Sequence, residues 1–259
     1  MYQYTLDTAF DISSKNAGSE EKLALNPAGD PISNQTDDIT FNNDGTKLFA
    51  ISDNGAMNIH ILSTPYDISD ATLVADDGIN WRTYKEPWGS SNTTMLPQTI
   101  RFNNDGTKMY LTEAVINTTD PQESVGVVQY NLATPFVPSS TTTVQVLNLR
   151  AQFPKTNIAI HAMNFDDDGT RMYVSAGNFN AETDHPHAVY ELSIPFEISS
   201  AKHVGTFNFV NASGGGVRAV GGVFSDDGNK YYMTTGGGNS VVELSLIHIS
   251  EPTRLDGLA

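Results

Sequence analysis

Four segments of the chain repeat one another at intervals of about sixty residues, and this periodicity limits the fold more than any other feature. They read Ile39-Thr-Phe-Asn-Asn-Asp-Gly-Thr-Lys-Leu-Phe49, Ile100-Arg-Phe-Asn-Asn-Asp-Gly-Thr-Lys-Met-Tyr110, Met163-Asn-Phe-Asp-Asp-Asp-Gly-Thr-Arg-Met-Tyr173 and Gly222-Val-Phe-Ser-Asp-Asp-Gly-Asn-Lys-Tyr-Tyr232. A second block follows each of the first three: Ile61-Leu-Ser-Thr-Pro-Tyr-Asp-Ile-Ser69, Asn131-Leu-Ala-Thr-Pro-Phe-Val-Pro-Ser139 and Glu191-Leu-Ser-Ile-Pro-Phe-Glu-Ile-Ser199. The chain opens on the same block, at Thr5-Leu-Asp-Thr-Ala-Phe-Asp-Ile-Ser13.

Each block predicts local structure. Phe41, Phe102, Phe165 and Phe224 form one aromatic column and Phe49, Tyr110, Tyr173 and Tyr232 another, as shared core anchors would. The Asp-Gly pair between them signals a hairpin, because glycine accepts the positive φ that such turns require. The flanks Leu48–Ile51 and Met172–Val174 are short apolar runs that suit buried strands. Val127–Leu132 and Ala188–Leu192 give a third strand, which Pro65, Pro135 and Pro195 stop in their repeats by removing a ladder donor. Val144–Leu149 and Val204–Phe209 give a fourth. No helical period runs long enough to matter. The expected fold is all-β: a β-propeller of four-stranded antiparallel blades, with repeats starting near 39, 99, 162 and 222. A string of sandwich domains is the weaker alternative, since one four-stranded unit cannot cover both its faces alone.

Phe-Asn-Asn-Asp-Gly-Thr-Lys-Met-Tyr paired with Gln129-Tyr-Asn-Leu-Ala-Thr-Pro-Phe136 resembles the propeller repeats of bacteriophage structural proteins and of bacterial secreted or surface proteins. It is more distantly similar to YVTN and lactonase-like propellers. The resemblance spans about residues 1–243 and rests on turn and core positions, so it implies a binding or scaffolding platform rather than one chemistry. The setting it implies is extracellular or virion-associated.

The ends break the pattern. Tyr2–Leu6 aligns with a third strand and Lys22–Leu25 with a fourth, so Met1 falls inside a repeat. At the other end Val241–Ser245 begins a third strand, but Leu246-Ile-His-Ile-Ser-Glu-Pro-Thr-Arg254 replaces the expected Thr-Pro-Phe. Leu244 to Arg254 resembles a translated sequencing adapter of the kind found in metagenomic reading frames. Residues 1–243 are therefore read as propeller, and 244–259 as a non-native tail without ordered structure. The propeller is either a four-bladed ring or part of a larger one.

Composition narrows the function. Thirty acidic and fourteen basic residues give a net charge of −16, which opposes nucleic acid and anionic membranes. No apolar run reaches the roughly 18 residues of a membrane span. No cysteine is present, so thiolate chemistry is excluded. Elbow, zincin and phosphate-loop motifs are missing. Asp166-Asp-Asp-Gly169 lacks the twelfth-position glutamate of a calcium loop, Gly177 standing there, and His185-Pro-His187 lacks a third ligand. No metal and no cofactor is expected. The row four residues before the first aromatic column holds Asp37, Gln98, His161 and Val220, residue types that neither turn nor core requires. Asp37, Gln98 and His161, with Asp53 and Glu113 after the second strands, are the candidate ligand contacts around a channel. Two functions follow: a non-enzymatic propeller binding a glycan or a protein, or a lactonase-like hydrolase using His161 and Glu113. The first is favoured, because no general base is clearly paired.

Overall fold

The computed structural model describes residues 1–25, 36–52, 54–76, 79, 81, 95–115, 125–153, 158–178, 186–208, 219–224, 230–235 and 240–245. Strands and short 3-10 turns make up its regular structure. The first blade consists of Asp38–Phe41, Lys47–Ile51, Met57–Ile61 and Thr72–Asp76. The second consists of Met95–Phe102, Lys108–Val115, Val125–Leu132 and Thr141–Asn148. Ile158–Phe165, Arg171–Asn178, Pro186–Leu192 and Ala201–Asn208 form the third. The fourth blade has Ala219–Phe224, Lys230–Thr235 and Ser240–Ser245. Within every blade neighbouring strands pair antiparallel in sequence order. The chain is a four-bladed propeller, as its repeats predict.

The third and fourth strands of the second and third blades begin a few residues earlier than the apolar pattern suggests, because backbone pairing continues past the core-facing residues. The N-terminal block is shorter in pairing than expected. Only Tyr2–Gln3 and Glu21–Lys22 form a ladder, followed by one bridge between Leu6 and Lys15. The fourth blade's last strand runs through Ser245, and the remaining tail lies outside the described residues.

The core lies between blades, not within them. One cluster joins Phe49, Ile51 and Met57 of the first blade to Ile100, Met109, Leu111 and Tyr130 of the second, with Trp81 fully buried beside Tyr130. Another joins Tyr110 and Val127 of the second blade to Ile160, Met163 and Tyr190 of the third. The two aromatic columns form this seam. Phe102 stacks on Phe49 of the preceding blade and on Phe136 of its own, at 4.7 and 5.2 Å. Phe165 does the same with Tyr110 and Phe196, at 4.7 and 5.3 Å.

The repeated turn is held by every residue in it. Asn103 Oδ1 accepts from the Lys108 amide, and Asp105 Oδ1 accepts from the amide and hydroxyl of Thr107, which hold that carboxyl below its usual range. Asn43 donates to the Asn104 carbonyl of the next blade, and Asn104 donates to the Asp167 carbonyl of the one after, at 2.7 Å. Gly106 has φ +71° and lies under the Phe136 ring, where a Cβ would stand 2.3 Å from ring carbons. The Phe136 amide donates to the Gly106 carbonyl at 2.9 Å. Phe136 itself adopts φ 55°, and Tyr66 and Phe196 have the same left-handed conformation over Gly45 and Gly169. The gap where a side chain would stand is filled by a neighbour's ring. Gly228 lies outside the described residues.

Lys108 reaches beyond its own turn. Its Nζ crosses to the third blade, 2.8 Å from Glu197 Oε2 and 3.1 Å from the Phe196 carbonyl, which also accepts from the Tyr110 hydroxyl. Gln129 completes the clamp, donating to Glu197 and accepting from the Ile198 amide. Burial pushes the Glu197 carboxyl up, but hydrogen bonds from Lys108, Gln129 and Ser199 together with the Lys108 charge outweigh it and hold it at about 2.

Two outcomes test this architecture. Gly106→Val is expected to destabilise by about 1 kcal/mol or more, through positive φ and the clash with Phe136; coincident urea midpoints for variant and parent would reject the turn geometry. A depressed carboxyl stabilises the fold only where it is ionised. The Tm advantage of the parent over Glu197→Gln is therefore expected in full above pH 4.5 and to close as pH falls toward 2. Thermal melts across that range read it directly.

Candidate functional site

The inner strands converge on one guanidinium. Arg101 sits between the apolar residues Ile100 and Phe102 of the second blade's inner strand. Its Nη1 is paired with Asp38 Oδ2 of the first blade, and its Nε donates to Asn164 Oδ1 of the third at 3.0 Å. Nη2 donates to the Gly222 carbonyl of the fourth at 3.3 Å. Asp38 also accepts from the Ile100 amide at 3.0 Å. Side chains or backbone from all four blades thus meet on Arg101. Burial pushes the Asp38 carboxyl up, against the opposing pull of Arg101 and the backbone amides. The axis is filled by a polar hub.

That hub escaped the sequence reading, which looked three residues upstream. The row Asp37, Gln98, His161, Val220 turns out to mark irregularities of the inner strands. Pairing shifts register around Gln98, His161 and Val220, so each is the extra residue of a bulge. Asp37 stands just before its strand, its amide donating to the Ile51 carbonyl. Gln98 is half-buried, and His161 is buried with its carbonyl accepting from Thr99 Oγ1 at 3.2 Å. Glu113 pairs through its backbone with Pro97 and Gly126; its side chain lies outside the described residues, as does all of Asp53. The usable signal was a charged residue between two apolar ones near the end of an inner strand: Arg101 is the lone cation among the four repeats at that column, where Thr40, Asn164 and Val223 stand otherwise.

Between the fourth and first blades the ring holds a cleft of about 670 Å³. Met1, Leu23, Ile39, Val223, Met233 and Val241 give it apolar walls, and Asp37, Asp38 and Arg101 also line it. Of the sequence candidates among the described residues, Asp37 alone borders it. The rim carries exposed apolar side chains, with Val223 56% and Val241 51% accessible.

A second polar pair lies elsewhere. Ser175 Oγ and His187 Nδ1 are 2.7 Å apart on paired strands of the third blade, both buried. The spacing is that of a hydroxyl and its base, yet at 4% and 3% exposure the pair serves as a cross-strand tie. His185, its expected companion, lies outside the described residues. Among the described residues no three His, Asp or Glu side chains gather as a metal-holding group.

The hub makes a stability prediction. Arg101→Leu leaves the partly buried Asp38 without its cation and is expected to destabilise by about 1–3 kcal/mol. Adding Asp38→Asn should restore a large part of that loss. Urea unfolding of the two variants decides, and equal midpoints for single and double variants would show that the pair is not coupled.

The sequence matches no known family, and no curated protein matches it. Solved structures with similar backbones are β-propellers. The β-propeller domain of Myceliophteria thermophila Cps50 (Swd1) is 10% identical with a TM-score of 0.43, over 82% of this chain and 53% of that one. A Bacteroides uniformis protein provisionally assigned as a 6-phosphogluconolactonase is 12% identical with a TM-score of 0.47, over 95% and 60%. A chain of a mitotic checkpoint complex is 8% identical with a TM-score of 0.45, over 79% and 47%. The chain spans between about half and three-fifths of these structures, and at such identities the likeness concerns the fold.

Proposed function

We propose that this propeller is a non-enzymatic binding or scaffolding module whose ligand is a polypeptide held at the cleft between the fourth and first blades. The observation that carries this reading is the cleft itself: a lining that mixes apolar side chains with Asp37, Asp38 and Arg101, accessible valines on the rim, and bordering strands. A mixed lining beside accessible valines and bordering strands suits the side chains and extended backbone of a polypeptide, and a polypeptide is the ligand proposed. At the axis, Arg101 is engaged by Asp38, Asn164 and the Gly222 carbonyl, an arrangement suited to fixing blades. An extracellular or virion-associated setting goes with this reading, supported by the acidic, cysteine-free composition.

The test sets binding against hydrolysis. A displayed library of random peptides panned on the protein should yield binders whose affinity falls at least tenfold with Val241→Lys, a change on the accessible cleft rim with no core contact to lose. A panel of sugar lactones should show no turnover above buffer. Lactone hydrolysis that disappears in the His161→Ala, Asp37→Ala double variant would overturn the proposal in favour of a hydrolase.

A further inference from the structure

The N-terminal block makes the contacts of a blade's outer half. In the second and third blades, Lys108 and Tyr110 bond the carbonyl of Phe196 in the next blade. Lys230 and Tyr232 of the fourth blade bond the carbonyl of Phe10 in the same way. Gln129 accepts from the Ile198 amide one blade on, at 3.0 Å; Gln3 accepts from the Ile68 amide of the first blade, at 2.9 Å. Residues 2–22 therefore stand after the fourth blade and before the first, in a fifth place around the ring. They supply a third and a fourth strand there.

What the block presents inward is a receptor already shaped. Phe10 has φ 59°, matching 62° at Tyr66, 55° at Phe136 and 58° at Phe196. Those three rings each cover an Asp-Gly turn of their own blade, and each amide donates to that glycine's carbonyl at 2.9 Å. Among the described glycines none lies beneath Phe10, whose side chain is half exposed. Tyr2–Gln3 pairs with Glu21–Lys22 on one edge; on the other edge, where Val125–Leu132 and Pro186–Leu192 meet a second strand, no strand pairs with it among the described residues. The cleft described above adjoins this ladder through Met1 and Leu23 and reaches Ile39 and Tyr232, while Tyr2, Gln3, Phe10 and Phe41 stand outside its lining.

We propose that the edge of Tyr2–Gln3, beside the cleft, receives a two-stranded β-hairpin with an Asp-Gly turn and an aromatic residue on each strand, in the pattern Phe-x-x-Asp-Gly-x-x-x-Tyr, which completes a fifth blade. This rests on the polypeptide-binding reading and names its partner's class. The glycine of the turn seats under Phe10. The first-strand phenylalanine stacks between Tyr232 and Phe10, as Phe165 does between Tyr110 and Phe196. The second-strand tyrosine meets Phe41, as Tyr110 meets Phe165. Ladder bonds to the free edge of Tyr2–Gln3 supply register, and the aromatic seats supply specificity.

The probe is a synthetic peptide with the sequence of residues 98–113, labelled and titrated into the intact protein. Saturable one-to-one binding that raises Tm is expected. A peptide carrying Gly106→Val should bind at least tenfold more weakly, as should the unaltered peptide to a Phe10→Gly protein. Phe10→Gly keeps the left-handed backbone and removes only the ring, and an unchanged melting curve without peptide confirms that its fold is intact. Binding indifferent to both changes would overturn the hairpin assignment, and so would a concentration-dependent dimer of the protein that excludes the peptide. If library peptides bind the cleft but this hairpin does not, the assignment fails and the polypeptide reading stands. If neither binds, both fail.

Discussion

Everything in this propeller depends on a ring seated over a glycine. Phe136, held at positive φ, fills the space above Gly106 that a side chain would need. Left-handed backbone in a phenylalanine costs about 1–3 kcal/mol and persists only where its surroundings fix it. Here both partners are fixed at once: the turn requires glycine, the knuckle requires the turn, and the Phe136 amide bonds the Gly106 carbonyl. The knuckle then aims its carbonyl outward toward the preceding blade. In the third blade that carbonyl, on Phe196, receives Lys108 and Tyr110. One local lock therefore sets each blade's internal shape and its docking to a neighbour.

Blade-to-blade packing follows from the size of the unit. A four-stranded sheet has two faces and too few residues to cover either alone, so its apolar side chains must meet those of adjacent blades. The aromatic columns do this in alternation, Phe49 to Phe102 and Tyr110 to Phe165. Near the axis the blades are too close for large apolar groups from each, and a single guanidinium with planar donors satisfies acceptors on three sides. Arg101 fills that role with Asp38, Asn164 and the Gly222 carbonyl.

The seam between the fourth and first blades differs from the others because, among the described residues, only outer strands stand there. Phe10 reproduces the left-handed knuckle, and Gln3 and Lys230 reproduce the interblade bonds. The surfaces facing the cleft are those that in other blades face an inner hairpin. Accessible Val223 and Val241 on its rim have the chemistry of a joint rather than of a free surface. Binding and folding share one geometry in this reading, since a ligand that resembles a missing blade element engages contacts the repeat already encodes.

The sequence by itself determined the all-β class, the blade repeat, the turn glycines and the two aromatic columns. These are legible because they recur: a position that carries Phe or Tyr at every repeat reveals its burial through repetition. It determined the placing of residues 2–22 as an outer pair of strands as well, since Gln3-Tyr-Thr-Leu6 follows the pattern of Gln129-Tyr-Asn-Leu132. What only the tertiary structure decided lies where the repeats diverge. Gln98 and His161 stood out with Asp37 as unlike residues in one column, but each of those two is the extra residue of a bulge, which tolerates unlike residues because it leaves the ladder, and Asp37 stands just before its strand. Arg101 stands out as a cation beside Thr40 and Asn164, but its partners lie on three other blades and no local pattern links Asp38 to Gly222. Nor could a residue string show that Phe10 adopts the conformation of Phe136 with no described glycine beneath it. Short-range chemistry writes itself into repeats; contacts made around a ring appear only once the ring has closed.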